Sequence, residues 1–107
     1  MKVGEVCNVY GISIWSNVLH YLVFPSEVML PSWLPADLFE MVEHRVPLDW
    51  YVQDNCENAD PGLRFLLGYK ELALDPSHYQ DLINLDRSAI RIFLNRKKEI
   101  DDEFSAN

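Results

Sequence analysis

The sequence predicts an α+β domain: a small antiparallel sheet of about four strands covered by about three helices. Three observations predict it. β-Branched and aromatic clusters bounded by Gly, Pro, Asn and Asp fill the first two thirds of the chain. The phrase Leu-Asp-x-Ser opens at Leu74 and again at Leu85, where it reads as two helix starts. The 107 residues, 49% of them apolar, are enough for one core and too few for two, so residues 1–107 form a single domain.

Residues 1–10, MKVGEVCNVY, place Val3, Cys7 and Val9 on one parity and Val6 and Tyr10 on the other, which predicts a strand ended by Gly11. Residues 12–24, ISIWSNVLHYLVF, fit two patterns. Ser13, Ser16, Asn17 and His20 stand at helical spacing, yet the apolar residues are mostly β-branched or aromatic, which favours two strands with a Ser16-Asn17 turn. Pro25, Pro31 and Pro35 bound an irregular link. From Pro35 to about Arg45 an amphipathic helix is expected, with Leu34, Leu38, Met41 and Val42 on one side and Asp37, Glu40, Glu43 and His44 on the other, stopped by Pro47.

Residues 48–53 and 63–72 read as a strand hairpin joined by the polar link DNCENADPG. The final third is helical. Asp75 and Asp86 are N-caps, Pro76 takes a first helical position, and Leu74 and Leu85 are placed to staple onto Tyr79 and Ile90. The last helix is expected to bury Ile90, Phe93 and Leu94 and to end in the cations of NRKKE, leaving residues 99–107 as a frayed acidic tail.

Charge narrows the function classes. There are 17 acids against 9 bases, net −8, and 13 of the acids but only 4 of the bases lie in residues 1–86. Such a field repels phosphate polyanions and attracts cationic surfaces, so nucleic acid is not an expected partner and a basic protein is. No opening stretch reads as a signal peptide and no apolar run approaches the roughly 20 residues that span a bilayer, so a soluble, cytoplasmic protein without membrane association is expected. Cys7 and Cys56, in no metal spacing, read as free thiols.

Catalytic signatures are sparse. Glu40 and His44 would be neighbours on a helix and form the proton-transfer pair an enzyme reading could use; a solvated surface pair is the reading favoured for them. His78 is placed to pair with Asp75 or face water, and His20 reads as a satisfied, partly buried polar group. The link with Asp54, Glu57 and Asp60 departs from the calcium-loop pattern at Cys56 and Ala59, and no histidines or cysteines stand at zinc spacing, so no metal or other cofactor is expected. No nucleophile elbow or glycine-rich phosphate cradle is present, and the expectation is that the chain is not an enzyme.

A short, acidic, single-domain chain with mixed strands and helices, interleaved aromatics and no catalytic signature resembles bacterial immunity proteins that neutralise secreted nuclease toxins, including those of contact-dependent inhibition. The stretches PSWLPADLFEMVEHRVPLDW and RFLLGYKELALDPSHYQDLINLD read as its self-contained signature. The resemblance implies a tight one-to-one inhibitor that occludes a toxin's cationic site, and it carries over no family residue. The patch expected to bind is Asp49, Asp54, Glu57 and Asp60 with Trp50 or Tyr51 as anchor, although Trp33, Trp50 and Tyr51 each also fit a core position. The rival reading is an accessory or self-associating subunit that pairs through the apolar run at residues 18–24, giving a homo-oligomer.

Overall fold

The structure is a computed structural model that describes residues 8–39, 47, 49–54 and 62–105. Its central hairpin pairs Gly11–Trp15 (β1) with Val18–Val23 (β2), Ser13 lying opposite His20 and Trp15 opposite Val18. Ser16 and Asn17 between them have φ of 51° and 65°. A two-residue turn needs both values positive if its twist is to match that of the flanking strands. The segment that fitted two patterns is therefore two strands, with the turn where the sequence placed it.

Three boundaries differ from expectation. Gly11 opens β1 instead of ending a strand: residues 8–10 lie outside the sheet, and residues 1–7 fall outside the described residues. Ser32–Pro35 forms a strand (β3) along β2 where a helix was expected to start, followed by a single 3-10 turn, Ala36–Leu38, and an extended Phe39. β3 is the edge of the sheet, the position where a missing proline N–H removes no ladder bond, so Pro35 is compatible with it. The rest of that expected helix, including Glu40 and His44, lies outside the described residues. Finally, Tyr51–Asp54 (β4) and Leu63–Gly68 (β5) form the expected hairpin, but β5 stops at Gly68 and Lys70–Leu74 turns into a short helix (α1).

The five strands run β3-β2-β1-β5-β4, each antiparallel to its neighbour. A register shift opposite Ile14 and Trp15 leaves Arg64 as an extra residue on β5, so that Leu63 and Leu66, three apart, both reach the core. Gly11 and Gly68 face each other across β1 and β5, and a Cβ on either would lie 2.5 or 2.6 Å from Leu72 Cδ2. The two glycines open a socket for Leu72, which is fully buried and seats α1 on the sheet.

Pro76–Ile83 (α2) and Arg87–Ser105 (α3) complete the layer. Asp75 accepts from the N–H groups of Ser77 and His78, and Asp86 from those of Ser88 and Ala89, so both aspartates are caps. Between the helices the Asp86 N–H donates to the Asp81 carbonyl and the Leu85 N–H to that of Leu82, the paired bonds of a Schellman ending. Its left-handed position is Leu85, at φ 59°, where glycine is usual.

α3 departs from expectation twice. Its fully buried residues are Ala89, Phe93 and Ile100, while Leu94 is 44% exposed. The expected frayed tail is helical to Ser105, because Asp101 is held by Tyr10 Oη and Asn8 Nδ2, each at 2.7 Å, and by Lys97 Nζ at 2.8 Å.

Replacing Leu85 with Gly relieves a left-handed side chain that costs about 1 kcal/mol or more, partly offset by glycine's greater unfolded-state entropy. Leu85→Gly is therefore expected to raise the denaturant midpoint by the equivalent of about 0.5 kcal/mol, and Gly68→Ala to lower it by about 1–3 kcal/mol through overpacking against Leu72. Equilibrium urea unfolding checks both.

Candidate functional site

The described part of the expected patch lies on one edge of the sheet. Among the described residues β4 pairs only with β5, and all four of its residues are exposed. Tyr51 is 42% and Val52 58% exposed. Asp49, two residues before the strand, and Asp54, its last residue, are both exposed. Asp49 lies in a turn, so the extended-chain rise sets an upper limit of roughly 16 Å on their separation, and the apolar Tyr51 and Val52 lie between the two carboxylates in the chain. The two candidate anchors separate: Tyr51 is on the surface, whereas Trp50 packs against the core and its Nε1 is buried without a hydrogen-bond partner. Trp33 likewise packs against the core. Glu57, Asp60, Cys7 and Cys56 lie outside the described residues.

β2 is an inner strand of the sheet. It is bonded to β1 on one side over residues 18–22 and to β3 on the other over residues 20–23, which leaves only Val18 and Leu19 of its part of the apolar run at residues 18–24 without a strand on the β3 side. The sheet's outer strands are β3 and β4.

Several acids are committed elsewhere. Glu71 takes Arg96 through two bonds of 2.8 and 3.0 Å, and Glu99 takes the same guanidinium at 3.1 Å. The Arg96 hydrogen bonds hold the Glu71 carboxyl below its usual range. Burial pushes Asp101 the other way, but its bonds from Lys97, Asn8 and Tyr10 outweigh that and keep it low. Asp75 and Asp86 are caps, so the acid surplus that stays outward is smaller than composition implies.

His78 neither pairs with Asp75 nor faces water. It is 3% exposed, with Nε2 2.7 Å from the Tyr69 hydroxyl, because the Asp75 carboxylate is turned onto the helix backbone. Burial pushes the His78 pKa down and that of Tyr69 up, far beyond a phenol's usual value. His20 is partly buried, as expected, and its Nδ1 lies 2.9 Å from the Val18 carbonyl.

A cavity of about 440 Å³ between the β1–β3 side of the sheet and α2 was not anticipated. Ser13, Trp15, His20, Trp33 and Tyr79 are among its lining residues. They come from three strands and a helix, and only the register of β1 and β2, with Ser13 opposite His20, hints at the convergence. Among the described residues no three His, Cys, Asp or Glu side chains gather as a metal site, and no helix is long and apolar enough to cross a membrane.

The pKa shifts set the acid limb of stability. A histidine whose folded pKa lies below its unfolded value binds more protons when unfolded, so its contribution is complete above about pH 6.5 and is lost as pH falls from there. Glu71 and Asp101, with folded values depressed, lose theirs below about pH 4.5. Unfolding free energy is expected to fall in two stages on acidification, and His78→Asn to remove the upper stage; chemical denaturation at pH 7.5, 5.5 and 4 checks this.

No family model, curated protein or solved structure matches this chain.

Proposed function

We propose that this chain is a binding protein whose β4 edge receives a basic protein, and that its role is to inhibit a nuclease-type toxin in the manner of an immunity protein. The observation that supports this most is the edge strand itself: exposed Tyr51, Val52 and Gln53 lie between the exposed carboxylates of Asp49 and Asp54. An edge strand has backbone donors and acceptors without ladder partners. A partner strand laid along it gains main-chain hydrogen bonds, and the flanking acids favour one bearing Lys or Arg. A nuclease must carry such cations to hold phosphates, so an acidic edge docked in its cleft blocks access without any reaction of its own.

The same geometry gives Tyr51 a defined part. It stands opposite Gly68 at the sheet's edge and is 42% exposed, so part of its ring is available to a pocket on the partner. Binding is expected to be tight, one-to-one and sensitive to salt.

The test pairs growth protection with affinity. Cells expressing secreted nuclease toxin domains are scored for rescue by the wild-type chain, and the rescued domain is then titrated calorimetrically with Asp49→Lys/Asp54→Lys. The double reversal, at surface positions that leave the circular dichroism spectrum unchanged, is expected to weaken binding at least tenfold and abolish rescue. Rescue undiminished by the reversal, or from none of the domains, overturns the proposal.

A further inference from the structure

The cavity beside α2 is separate from the β4 edge, since its lining comes from β1, β2, β3, the loop at Pro31 and α2, while β4 is at the opposite end of the sheet. Its volume, about 440 Å³, lies in the range of small-molecule sites and is about three times that of a cavity that holds benzene. Trp33 and Tyr79 form one wall, with ring centroids 6.0 Å apart. Trp15, 42% exposed, and Ile83, 46% exposed, are the lining residues most open to solvent, and the Trp15 ring meets His20 edge-on at 6.2 Å. Among the described residues no Asp, Glu, Lys or Arg lines the space, so a charged ligand would lose its hydration there without a counter-charge from them.

Two polar residues stand out against these walls. Ser13 is 1% exposed, and Trp33 Nε1, also in the lining, is buried without a hydrogen-bond partner among the described residues. A donor buried in that way is costly unless something completes it. His20 is directly opposite on β2, which sets the two Cβ atoms about 5 Å apart on one face. The Val18 carbonyl can only accept, so His20 Nδ1 carries the proton, and the neutral ring keeps Nε2 as an acceptor. One donor and one acceptor side by side match a single hydroxyl group, which accepts from Ser13 and donates to His20. Ser13 and His20 are not hydrogen-bonded to each other among the described residues, so neither activates the other and the pair serves binding.

We infer that this cavity is a binding site for a small uncharged aromatic alcohol of one or two rings, its ring held among Trp15, Trp33 and Tyr79 and its hydroxyl between Ser13 and His20. The probe is 2-naphthol, titrated into the ¹⁵N-labelled chain, with 2-methylnaphthalene and 2-naphthoate as controls. Saturable shifts confined to β1, β2, β3 and α2 are expected for 2-naphthol, with weaker binding by the hydrocarbon and none by the carboxylate. Ser13→Ala, which removes the donor opposite His20, is expected to weaken 2-naphthol about tenfold and leave 2-methylnaphthalene unaltered. Ile83→Trp, at an exposed position of the lining, is expected to block 2-naphthol and 2-methylnaphthalene alike. Absent or surface-scattered shifts, equal affinity for the naphthoate, or 2-naphthol affinity unchanged in Ser13→Ala overturns the inference.

Discussion

The last helix of this fold is tied to the first residues described and to the first helix by charge, and the rest of the arrangement depends on that tie. Arg96 reaches Glu71 on α1 with two bonds, and one turn along, Lys97 and Asp101 meet Tyr10 and Asn8. Each partly exposed pair contributes on the order of 1 kcal/mol or less, so apolar packing by Phe93 and Ile100 supplies more of the stability. What the pairs add is direction: they fix the rotation of α3 about its axis. Lys97 also sits over the rings of Tyr10 and Phe24, at 5.6 and 5.1 Å, so the same side chain covers an aromatic cluster while neutralising Asp101.

This arrangement sorts the charge. On the helical side Glu71, Glu99 and Asp101 are paired with Arg96 or Lys97, and Asp75 and Asp86 cap helices, while Asp81 and Asp102 stay exposed, as do Arg87, Arg91 and Lys98. On the sheet side, Asp49 and Asp54 flank a strand that carries no basic residue. Among the described residues the three α-helices follow β5, and their packing uses the face that carries Leu22, Leu63 and Leu66. Nothing among the described elements is left to pair with the outer side of β4.

Local signals were the legible ones. Asp75 and Asp86 identify helix starts because capping is chemistry within three residues, and Ser16-Asn17 identifies a hairpin because both residues tolerate positive φ. β3 was missed because prolines speak against a strand only until it is known to be an edge, which is a fact of topology. The acidic end of α3 looked frayed because its stabilising partners, Tyr10 and Asn8, are more than 90 residues away. The same limit applied to the sites. Asp49, Tyr51 and Asp54 are neighbours in sequence and could be read as a patch, whereas Ser13, His20, Trp33 and Tyr79 meet only once the sheet and α2 are assembled.

The central claim is that β4 is a docking edge, and backbone amide exchange in the complex addresses it most directly. With a basic toxin domain bound, the outward amides of residues 51–54 should slow by at least tenfold, as they would on gaining a strand partner, while those of β3 stay unchanged. Slowing confined to β3 or to α3, with residues 51–54 exchanging as in the free protein, would contradict the account.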